Sequence, residues 1–294
     1  MGQIERFPVL KRAIYEAGNA ISDLVLPPAC RLCERDIDPT GEFCRTCERA
    51  LKISEIWMKG ACRRCGLPSL QAIRQATQHA ERSESKPEAH VSAELGATVA
   101  TALPAVKPSC PHCRKQSFGF SEVVALWAYE NQVCEAVVAA KYAHRTALAD
   151  ALGRRLGQRL LENPLQEPPD YVTYVPSHWA RQISRGGNGN RQMALSVAKM
   201  LSQRCRLPLK TSRRIEKQAW LDDSQRVRNV RGAFCLKKSY DLARSRRIVD
   251  RHFLVVDDVL TTGATANEVA RVLRSAGARR VSLAVVARAI RSNH

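Results

Sequence analysis

His252-Phe253-Leu254-Val255-Val256-Asp257-Asp258-Val259-Leu260-Thr261-Thr262-Gly263-Ala264-Thr265 decides the fold of this chain. The apolar run reads as a buried strand. Asp257 and Asp258 stand near its carboxyl end, Thr261 to Gly263 make a turn, and a helix follows. In open α/β sheets, ligands bind beyond the carboxyl ends of strands. Hydroxyls, a glycine and the free N–H groups of a helix N-terminus suit a phosphate. Two adjacent carboxylates suit a diol or a hydrated Mg²⁺. Phosphate, diol and Mg²⁺ together describe a phosphorylated ribose.

Asp257-Asp258 followed by Thr261-Thr262-Gly263-Ala264-Thr265 resembles the phosphoribosyl pyrophosphate (PRPP) motif of type I phosphoribosyltransferases. The resemblance implies that Asp257 and Asp258 are the catalytic pair on the ribose hydroxyls. It implies that Thr261, Thr262, Gly263, Ala264 and Thr265 cradle the 5′-phosphate, and that Mg²⁺ is held largely by the substrate. An unrelated doubly wound sheet whose strand ends in two aspartates explains the strand and the acids but not the loop. For the threonines the plain alternative is a helix N-cap at Thr262 or Thr265.

Upstream, the pattern alternates between periods. Strands read at 123–129 and 170–175, helices at about 133–142, 146–162 and 190–204. A helix at 264–276 and a last strand at 281–287 follow the acidic pair. This alternation implies a parallel sheet flanked by helices over 118–294.

The first 117 residues read differently. Four Cys-x-x-Cys pairs stand there: Cys30/Cys33, Cys44/Cys47, Cys62/Cys65 and Cys110/Cys113. Each pair sets two thiolates on one side of a knuckle, and two knuckles complete a tetrahedral Zn²⁺ site. One pair alone could be a redox motif; four point to structural zinc over 28–117. Loop closure favours pairing neighbours, although an interleaved arrangement satisfies the same spacing. Residues 70–108, rich in Ala, Ser, Glu and Pro, read as a disordered insertion. Before the module, Phe7, Leu10, Ile14, Ala17, Ile21 and Leu24 recur at steps of three and four, an amphipathic helix within 1–27.

Charge is the third signal. The chain of 294 residues carries a net charge of +19. Residues 177–250 alone hold 18 Lys/Arg against five Asp/Glu. Such a block fits a polyanion, either nucleic acid or pyrophosphate; a solvated basic surface is the plain alternative. Lys141, His178, Arg185 and Arg226 are the candidates for pyrophosphate or nucleic-acid contacts. No apolar run approaches the ~20 residues of a membrane span. With no secretory signal pattern, a cytoplasmic protein is expected.

Local motifs extend the resemblance. Leu24-Val25-Leu26-Pro27-Pro28-Ala29-Cys30, Cys62-Arg63-Arg64-Cys65-Gly66-Leu67-Pro68, Ala140-Lys141-Tyr142, Val175-Pro176-Ser177-His178 and Arg185-Gly186-Gly187-Asn188 are similar to the ComF/GntX family. So is the spaced set Gln218, Leu221, Arg226, Asn229 and Phe234. The family departure is Gly187-Asn188-Gly189 in place of Phe-Asn-Gln, which predicts a looser loop. The resemblance implies a double zinc ribbon joined to a phosphoribosyltransferase-like domain that binds PRPP. It implies single-stranded DNA as a partner, with a DNA-uptake helicase or other competence proteins alongside. The implied role is accessory to DNA uptake. A phosphoribosyltransferase of nucleotide metabolism with an unknown acceptor, or a PRPP-responsive regulator without chemistry, fits the same motif.

Overall fold

The computed structural model describes residues 29–290 apart from 38–40, 59, 69–109, 112, 115, 178, 214–222 and 242–246. The amphipathic helix expected within 1–27 and the insertion expected at 70–108 lie outside the described residues, as does His178. Two compact units are present, residues 1–50 and 51–294. Their boundary falls within α1 (Arg45–Trp57).

In the smaller unit the chain folds around Cys30, Cys33, Cys44 and Cys47. A bridge pairs Ala29 with Asp36, and Glu34, at a φ of 63°, turns the first knuckle. The Glu34 N–H donates to the Cys30 carbonyl at 2.9 Å. Cys30 and Cys47 are buried.

The larger unit is built on a five-stranded parallel sheet. Its strands are β1 (Val123–Ala128), β2 (Tyr171–Tyr174), β3 (Arg204–Cys205), β6 (His252–Leu260) and β7 (Arg280–Arg288), in the order β1-β7-β6-β2-β3. A separate antiparallel hairpin joins β4 (Leu209–Thr211) to β5 (Phe234–Leu236). The central strands are apolar on both faces, the composition a doubly covered parallel sheet demands: Phe253 through Val256 and Leu283 through Ala287 are buried.

Alternation along those strands assigns the two faces. Val255, Val281, Leu283 and Val285 belong to one cluster with Val269 and Leu273 of α8 (Ala264–Ser275) and Leu209 and Phe234 of the hairpin. The other face is covered by α3 (Thr146–Glu162), which packs on β1 and β7, and by α5 (Gly189–Met200), which packs on β2, β3 and β6. Burial of one fully apolar side chain contributes about 1.5–3 kcal/mol, so these two layers dominate the stability of the unit. Among the described residues no helix is long and apolar enough to cross a membrane.

The strand order places the site. From β6 the chain crosses over through α8 to β7 on one side; from β2 it passes through α4 (Trp179–Arg185) and α5 to β3 on the other. β2 and β6 are neighbours, so the crossovers diverge between them. Such a divergence opens a crevice at the carboxyl ends of the strands.

Candidate functional site

Residues from four segments meet at that crevice. Lys141 follows α2 (Asn131–Ala139), Ser177 follows β2, and Arg185 to Asn190 connect α4 to α5. Asp257 and Asp258 come from β6. A narrow cleft of about 30 Å³ is lined by Lys141, Ser177, Arg185, Asn190 and Asp258, together with the glycine-rich turn between α4 and α5.

The two acids are already engaged. The Lys141 ammonium lies 2.7 Å from Asp258 Oδ2. The Asn190 side-chain amide donates to Asp257 Oδ1 at 2.8 Å. Asp257 is the more deeply set carboxylate. Burial and the adjacent Asp258 charge push its pKa well above the usual carboxylate range. Burial works against the Lys141 ammonium, but Asp258 overcomes it, so the Lys141 pKa is raised. Arg185 stands near enough to oppose that rise by like-charge repulsion. Two cations therefore flank the cleft beside the acidic pair, which makes cationic and anionic groups available side by side.

Below the acids, Thr261 to Gly263 form the turn expected from sequence. Gly263 adopts a φ of 84° at the N-terminus of α8, a left-handed conformation that favours glycine. The Thr262 hydroxyl accepts from the Ala264 N–H at 3.3 Å. The first N–H groups of a helix have no acceptor within it, and their positive end favours an anion. The loop and the acidic pair therefore stand in the order that the sequence requires.

The α4–α5 turn is not looser for its glycines. A Cβ on Gly189 would lie 2.2 Å from the Ala140 carbonyl oxygen, and one on Gly187 would lie 3.2 Å from the Ala143 Cα. The backbones of the two segments approach too closely for a side chain at Gly189. Asn188 caps α5 by accepting from the Arg191 N–H at 3.2 Å. This packing brings Lys141 and Asn190 to the acids.

Lys141 and Arg185 thus reach the cleft, while the Arg226 side chain lies outside the described residues although its helix, α6 (Asp223–Val230), is present. Asn190 was not singled out by sequence. An asparagine in the first turn of a helix is too common to signal a ligand site.

The cysteines form two clusters, Cys30/Cys33/Cys44/Cys47 and Cys62/Cys65/Cys110/Cys113, each with its sulfurs within 4.8 Å of one another. Neighbouring pairs combine; the interleaved arrangement is not adopted. Four thiolates at a Zn–S bond of about 2.3 Å make a tetrahedron with S–S edges of about 3.8 Å. The observed separations are 3.6 Å for Cys33–Cys44, 3.9 Å for Cys62–Cys113 and 3.5 Å for Cys65–Cys110. The donor set and its spacing fit structural zinc.

Residues 21–83 match the double zinc ribbon domain, and residues 180–293 match the phosphoribosyl transferase domain. The DNA utilization protein YhgH of Escherichia coli O6:H1 is 25% identical over 267 residues, covering 88% of this chain and 96% of that protein. Competence protein F of Haemophilus influenzae is 31% identical over 126 residues, 41% of this chain and 51% of that protein. The chain joins a double zinc ribbon to a phosphoribosyl transferase domain, as its resemblance to the ComF/GntX family implies.

Among solved structures, this chain overlaps the glutamine PRPP amidotransferase of B. subtilis at 20% identity and a TM-score of 0.32. The overlap covers 48% of this chain and 26% of that one. A purine phosphoribosyltransferase from Pyrococcus horikoshii Ot3 overlaps at 16% identity and a TM-score of 0.27, over 47% of this chain and 71% of that one.

Proposed function

We propose that this protein is a member of the ComF family that binds PRPP at the β6–α8 turn and single-stranded DNA on its basic surface, as an accessory factor in DNA uptake or utilization. The observation that carries the ligand is the acidic pair within reach of Lys141 and Asn190, three residues ahead of a loop leading into a helix N-terminus. In this reading Asp257 and Asp258 take the ribose hydroxyls. Residues 261–265 take the 5′-phosphate, and Lys141 and Arg185 face the pyrophosphate. Both carboxylates already have partners in the protein, so Mg²⁺ would arrive on the pyrophosphate rather than in a cage of its own.

The DNA half of the proposal is supported by the names of the relatives and by the basic block at 177–250. Aromatic residues make up only 5% of the chain, so affinity rests on phosphate contacts more than on base stacking.

Thermal stabilisation by Mg-PRPP, measured beside anisotropy of a labelled single-stranded oligonucleotide, tests both halves. A ligand that binds only the native state must raise its stability. The expected result is a shift that the Asp257→Asn, Asp258→Asn double variant lacks, and DNA binding that weakens steeply with salt. No shift at saturating Mg-PRPP overturns PRPP binding; no DNA binding at low salt overturns the DNA half. Pyrophosphate release in the same samples separates binding from turnover.

A further inference from the structure

Arg288 is the last residue of β7, paired in register with Leu260 of β6 and Ala128 of β1. It is a charged residue only 8% exposed. Its Nη1 donates to the carbonyls of Leu260 at 2.8 Å, Thr261 at 2.6 Å and Ala289 at 2.8 Å. Its Nε donates to the carbonyl of Cys65 at 2.8 Å. One guanidinium therefore joins the start of the 261–265 loop to a residue of the second cysteine cluster. A planar fork of five donors suits several carbonyls at once; an ammonium does not.

A second connection runs alongside. Arg64, the neighbour of Cys65, donates to the carbonyls of Ser121 at 3.1 Å and Phe118 at 3.0 Å. Its guanidinium lies 5.4 Å from the Phe118 ring centroid. Phe118 stacks on Phe120 at 4.8 Å, and a Cβ on Gly263 would lie 3.5 Å from the Phe118 ring. The knuckle thus reaches the loop through a guanidinium on one side and an aromatic pair on the other.

We propose that Arg288 is a positioning residue for the 261–265 loop, and that the Cys62/Cys65/Cys110/Cys113 zinc site is thereby a condition for phosphate binding. The peptide is planar and trans, so pinning the Thr261 carbonyl aims the Thr262 N–H the opposite way, into the cradle. Zinc fixes the knuckle, the knuckle fixes the Cys65 carbonyl, and that carbonyl helps hold Arg288 against the loop. Loss of zinc or oxidation of these thiols would release the loop and lower its affinity for phosphate. The inference rests on reading 261–265 as a phosphate loop, but its structural half stands without ligand.

The test uses the full zinc-loaded chain and reads hydrogen exchange over residues 258–268 without ligand, then the Mg-PRPP thermal shift. In Arg288→Gln that segment should exchange about tenfold faster or more, with both zincs retained and β2 unchanged; Arg288→Lys should be intermediate. Cys113→Ser, a change in the cysteine cluster and not in the loop, should loosen the same segment. Cys47→Ser, which removes the other zinc, should leave it protected. Unchanged exchange in Arg288→Gln or Arg288→Lys, or equal loosening by Cys47→Ser and Cys113→Ser, overturns the proposal. A wild-type protein that ignores Mg-PRPP sinks the functional reading alone, because the exchange experiment contains no ligand.

Discussion

The side-chain amide of Asn190 donates to Oδ1 of Asp257 across 2.8 Å, tying the first turn of α5 to the end of β6. The bond is accepted by a carboxyl group that burial and Asp258 hold toward its protonated form. Asp257 is thus a buried carboxyl group whose ionisation costs the fold stability.

That cost has a sign and a pH window. The unfolded carboxyl titrates near 3.8, and the folded one well above it. At pH below both values the proton is bound in both states. As pH rises between them the unfolded chain ionises first, so native stability falls. Asp257→Asn keeps the acceptor oxygen and removes the titration. Urea denaturation should show the variant equal to wild type near pH 3 and more stable at pH 7. The gap should widen by about 1.4 kcal/mol per pH unit across the interval.

Lys141→Met leaves Asp258 without the ammonium 2.7 Å away and removes a positive charge from the cleft. Charge-assisted contacts of this kind are worth roughly 1.5–3 kcal/mol, so titration calorimetry with Mg-pyrophosphate should show affinity lower by about tenfold or more.

Gly189→Ala sets a methyl group 2.2 Å from the Ala140 oxygen, where backbone must move. A destabilisation of about 1–3 kcal/mol is expected from overpacking, visible as a lower urea midpoint. Displacement of Lys141 and Asn190 should weaken pyrophosphate binding in the same variant.

Two thiol tetrads predict two zinc ions per chain by elemental analysis of protein prepared without chelator. Cys44→Ser should lower the content to about one, since three remaining ligands hold a structural zinc poorly.

The order of strand, acids, turn and helix at β6–α8 is legible in the sequence, and the helix expected at 264–276 spans Ala264–Ser275, because a strand buried on both faces leaves a continuous apolar run and the turn admits few residue types; β6 itself runs past the acids to Leu260. The helix at 146–162 was equally plain; its observed limits are Thr146 and Glu162. Strand β7 reads from sequence as ending at 287; the structure continues it to Arg288. Arg288 pairs with Leu260 and Ala128, and its guanidinium is accommodated there by four carbonyls. The hairpin strands β4 and β5, three residues each, are too short for a period to show. Asn190 is missed for another reason: its importance comes from Asp257, a partner far away in sequence. The family departure at 187–189 predicted slack, whereas the structure uses the missing side chain for closeness.

Strand β7 lies between β1 and β6, although it is the last of the three to be made. Until residues 280–288 emerge from the ribosome, β1 and β6 each present an unpaired parallel edge, and the loop beside Thr261 has no Arg288. Long-range parallel pairing is slow, and open edges invite association with other chains. During synthesis this protein therefore passes through a stage in which residues 257–265 are fully translated but lack the strand and the guanidinium that hold them. Its yield in the cell should depend on how those two edges are guarded in the interval.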